Sequence, residues 1–297
     1  MKLDGIAAFI AIAASGSISA AARRLGLAKS VVSERLVELE RSLGTRLVQR
    51  TTRKLSLTED GHAFLLRAQR IQHEAAEAKA EVAERRGTLI GPLRLSAPVS
   101  FGVLHLGPAI YAFLGEHPGI DLTLELDDRF VDAAADGFDA VLRHGPILDS
   151  RLVAKRLATS QRFLVASPDY LTRHGTPSAI DELSAHCGIL YANRDADWRF
   201  KVGEGWTVVR PRAGLRVNNG LVMRDAALAG LGLTLLPNFF VHSELSVGSL
   251  VQIDVGVEAE GAELYIAHPR DRSASAKISA LTHSLRRSFG DPPYWDR

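Results

Sequence analysis

The segment from Ser17 to Gly44 limits the fold more than any other part of the chain, because it reads as two helices joined by a tight turn. Ser17 stands where a helix N-cap belongs, ahead of a helix from Ile18 to Leu25. Gly26-Leu27 makes the turn, and a second helix opens around Lys29 and ends near Gly44. In that second helix Val32, Leu36, Leu39 and Leu43 follow at spacings of four, three and four, which draws one apolar stripe along one face. Ser30, Ser33, Glu34 and Val37 point the other way. Helix, glycine-containing turn and a second helix apolar on one side only is the helix-turn-helix arrangement.

The stripe holds the second helix down and leaves the other face able to enter a major groove. Lys29 and Ser30 sit at the helix start, where side chains of a reading helix reach base edges and backbone N–H groups meet a phosphate. Next, Arg46-Leu47-Val48-Gln49-Arg50 and Thr51-Thr52-Arg53-Lys54-Leu55-Ser56-Leu57 read as two short strands joined by a cationic turn, a wing. Arg50, Arg53 and Lys54 are either phosphate or minor-groove contacts or solvated charges on a hairpin. Charge is unevenly placed. Residues 1–58 hold ten Lys and Arg against four Asp and Glu, a net +6, and the remainder carries −4 of a chain total of +2. A basic head on a mildly acidic body directs a polyanion to the head alone. The candidate DNA contacts are Ser17, Ala28, Lys29, Ser30, Ser33, Arg35, Arg50, Arg53 and Lys54, and the candidate partner is double-stranded promoter DNA.

These residues also carry a family resemblance. Phe9, the run Gly16-Ser17-Ile18-Ser19-Ala20-Ala21-Ala22 with Leu25, then Ser30-Val31-Val32-Ser33, Leu39-Glu40, Leu43-Gly44, Leu47, Arg50, Leu57-Thr58 and Gly61 together resemble the LysR-type transcription regulators without a gap. Two positions depart from the family: Val48 stands where Phe is usual, and Lys29 where Gln is frequent. The first alters packing; the second bears on which base is read.

Thr58-Glu59-Asp60 caps a long helix running to about Arg86, with Phe64, Ala68, Ile71, Ala75, Ala78 and Val82 repeating at four and three. Such a seam serves a homodimer, since a two-fold reader spans two half-sites, or else packs on its own domain. Gly87 to Pro92 breaks the helix and forms a hinge.

Behind the hinge the chain alternates strands and helices. Strands are expected at Leu93–Ser96, Ile120–Leu126, Asp139–Leu142, Phe163–Ala166, Leu215–Val217, Leu233–Leu236 and Glu263–Ala267. Helices are expected from about Ser100, Phe130, Pro168 and Gly220. Alternation of this kind predicts open α/β sheets with ligands at the carboxyl ends of strands. The resemblance continues in Leu95-Ser96-Ala97-Pro98-Val99-Ser100-Phe101-Gly102, Gly137-Phe138-Asp139-Ala140-Val141-Leu142-Arg143, Ala166-Ser167-Pro168-Asp169-Tyr170-Leu171, and Asn218-Asn219-Gly220 through Gly230-Leu231-Gly232 to Leu236-Pro237. It implies a fold like the type 2 periplasmic binding proteins: two α/β subdomains, two crossover strands, and a small organic effector between them.

The expected fold class is therefore α/β with an α-rich N-terminal head. A winged helix-turn-helix spans 1–58, a dimerisation linker helix 59–87 and an effector-binding domain 88–297. Within the last, subdomain I covers about 91–162 and 265–297, and subdomain II about 163–264. Candidate effector contacts are Pro98, Val99, Ser100, Phe101, Arg143, Ser167, Asn218 and Asn219. Ser100, Asn218 and Asn219 lie where strands give way to helices, so they either hold a carboxylate or cap helices. Arg143 is a charge partner for that carboxylate or a structural charge. Phe101 and Phe130 line an apolar cleft or belong to the core.

Other classes fit less well. Ile6 to Ala22 is apolar behind Lys2, as in a signal peptide, but Asp4 puts a negative charge where that reading needs a positive one. No apolar run is long enough to span a membrane. The single Cys187 forms no internal disulfide and no Cys/His spacing suits zinc, so no metal and no cofactor is expected, and a reducing cytoplasm fits. G-x-S-x-G, the phosphate-loop motif and H-E-x-x-H are all missing, which argues against an enzyme. A solute-binding protein would share the body but lack the basic head, and a body that only oligomerises would sense nothing. The resemblance further implies a homotetramer built from dimers, with RNA polymerase as a further candidate partner.

Overall fold

The computed structural model describes every residue except 51–54, 85–86, 130–132, 134–135, 146, 148, 195–197, 271–274 and 297, and all but the side chain of Arg50. The chain divides into two compact units, Met1–Pro92 and Leu93–Arg297.

The first unit holds α1 (Leu3–Ser15), α2 (Ile18–Leu25), α3 (Lys29–Leu43), a ribbon of β1 (Val48–Arg50) and β2 (Leu55–Leu57), and the long α4 (Glu59–Glu84). Helix α2 starts where Ser17 Oγ accepts the Ala20 N–H at 3.1 Å. It stops because Gly26 turns to φ 64°, a left-handed conformation that a side chain disfavours. Along α3 the stripe residues Val32, Leu36 and Leu39 are buried in one core with Ile6, Phe9 and Ile12 of α1. Leu43 departs from the expected stripe: the helix ends at Gly44, and Leu43 stays 36% exposed. The alanine-rich run behind Lys2 supplies this core rather than a separate element.

Hydrogen bonds fix the ribbon to α3. Glu40 Oε1 accepts the N–H groups of Leu47 at 2.9 Å and Val48 at 3.1 Å. The Thr58 hydroxyl donates to the Arg46 carbonyl at 2.7 Å. The strands pair antiparallel with Val48 opposite Leu57 and Arg50 opposite Leu55. The turn between them, with Arg53 and Lys54, lies outside the described residues.

Helix α4 divides the expected seam in two. Ala68 is fully buried in the head core, and Phe64 and Ile71 pack on it, Phe64 with its ring 5.7 Å from that of Phe9. This half follows the alternative reading, a helix packed on its own domain. Farther along, Ala78 and Val82 are exposed.

The second unit contains two five-stranded sheets. The first has the order β4 (Ile120–Leu126), β3 (Gly91–Ala97), β5 (Ala140–His144), β14 (Leu264–Pro269), β6 (Leu152–Ala158). The second has the order β11 (Arg212–Val217), β8 (Cys187–Tyr191), β12 (Leu233–Pro237), β7 (Arg162–Ala166), β13 (Val251–Gln252). Strands β3 and β5 run parallel, as do β8, β11 and β12, while β14 and β7 run against their neighbours. The chain passes between sheets after β6 and again before β14. Around them lie α5 (Val99–Phe101), a π-helical turn (Gly102–Leu106), α6 (Gly107–Glu116), α7 (Pro168–His174), α8 (Gly220–Leu228), α9 (Asn238–Ser246) and α10 (Ala276–Phe289). A hairpin of β9 (Arg199–Val202) and β10 (Gly205–Val208) stands apart from both sheets.

The helix expected from Phe130 begins outside the described residues. The continuous helical stretch Val99–Glu116 has, at 18 residues, the length and apolar composition to cross a membrane, contrary to the reading that no run does. Its residues Phe101, Leu106, Ala109, Ile110 and Phe113 are buried in the unit, and α6 packs on α10, so it serves as a core helix.

Gly61 shows how tightly the head is built, because a Cβ there would lie 2.1 Å from the Leu47 carbonyl oxygen. Backbone cannot yield as a flexible side chain does. Gly61→Ala is expected to cost the head about 3 kcal/mol, measured by chemical denaturation of the full chain. A cost below about 1 kcal/mol would show that α4 and the ribbon are not locked together there.

Candidate functional site

On the head, burial of one face of α3 leaves the other to solvent: Lys29, Ser30 and Glu34 are exposed, and Ser33 is half-buried. Ala28 occupies the N-cap position of α3, and no side-chain cap hydrogen bond is made there among the described residues. A phosphate fits such an end. Ser17 is engaged as the cap of α2. Arg35 is set apart from the rest, since its guanidinium pairs with Asp4 of α1 at 2.9 Å. Arg50 lies on β1, with its side chain, like Arg53 and Lys54, outside the described residues.

In the second unit a cavity of about 360 Å³ opens between the two sheets, within the range of small-molecule sites. Its walls come from strand ends: Pro98 after β3, Asp127 and Asp128 after β4, His144 closing β5, Tyr191 closing β8, Asn218 after β11 and Pro237 closing β12. The cavity therefore sits at the carboxyl ends of the parallel strands, where open α/β sheets bind ligands.

Four expected residues, Pro98, Ser100, Arg143 and Asn218, line it. Ser100 is buried and its hydroxyl has no hydrogen-bond partner among the described residues. Arg143 donates to the Leu142 carbonyl at 2.6 Å and the Ser96 hydroxyl at 2.9 Å. Among the described residues no carboxylate pairs with it directly. Burial lowers its pKa, against which the nearby Asp127 and Asp128 charges act. An oriented guanidinium and an unpartnered hydroxyl are groups that a small anion can satisfy.

The other four lie elsewhere. Val99 donates its N–H to Asp128 Oδ1 at 2.9 Å. Phe101 is wholly buried, edge-on to His144, Phe239, Phe289 and Trp295, so it belongs to the core. Ser167 caps α7, and Asn219 caps α8 through the N–H groups of Leu221 and Val222.

Asp127, Asp128, Arg129, His144, Tyr191, Asn193 and Arg194, not among the expected contacts, also stand on the wall. The sequence carries a signal for the first two, since the strand expected at Ile120–Leu126 ends just before them and they stand at a strand end like Ser100. Asp127 is paired with Arg129 at 2.6 Å, which holds its carboxyl down at about 2. Asp128 joins the two sheets' subdomains: its Oδ2 accepts from Asn219 Nδ2 and its carbonyl from Asn193 Nδ2, both at 3.2 Å. Tyr191 closes β8, a strand that was not among those expected, and Asn193 lies two residues beyond it. Among the described residues no three His, Cys, Asp or Glu side chains converge as a metal site requires.

Comparison with known proteins places these two regions in known families. Residues 3–62 match the family described as bacterial regulatory helix-turn-helix protein, lysR family, and residues 86–290 match the LysR substrate binding domain. The HTH-type transcriptional regulator PtxR of Pseudomonas aeruginosa is 33% identical over 298 residues, covering 99% of this chain and 95% of its own. Among solved structures, CrgA from Neisseria meningitidis, a LysR-type transcriptional regulator, is similar with a TM-score of 0.61 at 28% identity, over 97% of this chain and 99% of that one. The full-length Vibrio cholerae virulence activator AphB gives a TM-score of 0.60 at 27% identity, over 97% and 99%.

His144 carries a pH signature. It is stacked on Phe239 at 4.8 Å, both ring nitrogens lack partners among the described residues, and burial pushes its pKa from 6.5 down to about 3. Between those values the unfolded chain binds a proton that the folded chain refuses. Its stabilising neutrality is thus complete above the unfolded pKa and is eroded as the pH falls toward the folded one. Chemical denaturation at pH 7, 6, 5 and 4 should show wild type losing stability more steeply than His144→Leu, by up to about 1.4 kcal/mol per pH unit. Parallel slopes would mean that His144 is protonated in the folded chain.

Proposed function

The chain belongs to the LysR family of DNA-binding transcription regulators, which are not enzymes, and on that premise we propose that it reads a promoter through α3 under the control of a small organic anion in the cavity. One observation carries the DNA half. The apolar face of α3 is sealed into the head core while Lys29 and Ser30 stand exposed at its start, in a segment of net +6. Lys29 and Ser30 read bases, with Ala28, Ser33 and Ser17 near them; Arg50, Arg53 and Lys54 hold phosphates or the minor groove. Arg35, paired with Asp4, contributes position rather than contact.

The protein acts as a dimer, joined through the part of α4 that carries the exposed Ala78 and Val82, and assembles further into a tetramer. Paired reading helices then meet successive major grooves of an imperfect palindrome, in the cytoplasm and within reach of RNA polymerase. Binding to upstream DNA should weaken by about a thousandfold or more between 50 and 200 mM salt if six or more phosphates are neutralised. Lys29→Ala and Ser30→Ala should change which half-site sequences are preferred. A mobility-shift titration showing salt-independent binding would remove the reading.

For the cavity, the unpartnered Ser100 hydroxyl and the Arg143 guanidinium support an anionic ligand, of which a monocarboxylate is the simplest. A panel of small organic acids, read by thermal stabilisation, tests this. At least one should raise the melting temperature of wild type, and Ser100→Ala with Arg143→Ala should abolish that rise while leaving DNA affinity intact. An undiminished rise in the double variant would move the ligand elsewhere.

A further inference from the structure

Two chain crossovers join the subdomains of the second unit, and beside the Asp128 bonds a further connection is made by side chains after α10. After α10 the segment from Gly290 leads to a short 3-10 turn, Tyr294–Asp296, which delivers Trp295 to an aromatic cluster. Trp295 is 1% exposed. Its ring lies 5.0 Å from His105, 6.0 Å from Phe101 and 5.3 Å from Phe289, all on elements packed with the first sheet. On the other side it lies 6.1 Å from Phe239 of α9, which follows β12 of the second sheet.

Polar contacts repeat the pattern. Asn238 of α9 donates through Nδ2 to the Trp295 carbonyl, and to the Asp296 carboxylate at 3.1 Å. The Tyr294 hydroxyl lies 2.5 Å from His105 Nδ1, whose Nε2 stands 3.0 Å from the Phe239 carbonyl. A tryptophan of one subdomain's core would touch that core alone; this one is shared. The cluster also borders the cavity. Phe101 follows the wall residue Ser100, Phe239 stacks on His144, and Pro237 and Phe240, which flank Asn238 and Phe239, line the wall. Close-packed rings transmit a displacement instead of absorbing it.

We propose that Trp295, clamped by Asn238, is a positioning residue that sets how far the two subdomains close and so sets the width of the cavity. Its consequence for effector response rests on the reading of the cavity given above, but the closure itself does not. Asp128 reports it, since its bonds to Asn219 and Asn193 cross between the same subdomains.

Hydrogen–deuterium exchange on the full chain, without any ligand, tests the proposal. Trp295→Ala should speed exchange about tenfold at Asp127–Arg129, Tyr191–Asn193 and Asn218–Leu221, with the strand amides of β5 and β12 unchanged. Trp295→Phe, which keeps a ring, should restore slow exchange, and Asn238→Ala should reproduce the faster exchange in part. If Trp295→Ala unfolds the domain, the milder two variants decide. Acceleration confined to 238–242 and 290–296, or spread evenly over both sheets, overturns the proposal. Because no ligand is used, that failure would leave the effector reading standing, and an organic-acid panel without a hit would leave this proposal standing.

Discussion

Val32, Leu36 and Leu39 lose nearly all contact with water against Ile6, Phe9 and Ile12, and this one-sided burial decides how α3 can be used. At about 1.5–3 kcal/mol for each fully buried aliphatic or aromatic side chain, no rotation of the helix competes with it. Lys29 and Ser30 are consequently held outward, and the ribbon follows, since Glu40 on α3 accepts the N–H groups of Leu47 and Val48. Gly61 then lets α4 press against Leu47. Helix α3, the β1–β2 ribbon and the first half of α4 thus pack together, built outward from a single apolar stripe.

The second unit works on the opposite principle. Its two sheets each have a core, Leu164, Leu233 and Leu235 among others in one, and the cavity lies where neither core closes over the strand ends. Among the described residues, contacts that join the subdomains there include Asp128 with Asn193 and Asn219, His105 and His144 with Phe239, and the Trp295 cluster.

Much of this was legible in the residues. The spacing of Val32, Leu36 and Leu39, the Ser17 cap and the glycine turn are local signals, and α2 and α3 appear at the expected bounds. Pro98, Ser100, Arg143 and Asn218 could be placed because the strand ends that carry them are also local signals. What escaped depends on distant parts of the chain. Phe101 looks like a cleft residue until Trp295, nearly two hundred positions later, packs against it. The seam on α4 reads as a partner face until Phe9 takes Phe64 and the head core takes Ala68. Strand β8 was not among the expected strands, although at five residues it is as long as β5, β7 and β12, so Tyr191 and Asn193 went unplaced, and Asp128 shows its role only through Asn219.

The central claim is that the outward face of α3 reads DNA in a two-fold assembly. Nuclease footprinting of the full chain on the DNA upstream of its own gene tests it most directly. The account predicts two protected half-sites related by imperfect two-fold symmetry, their centres separated by about 10–10.5 base pairs or a multiple of it. Protection of uniform extent on any sequence, or a single site without a symmetric mate, would contradict it.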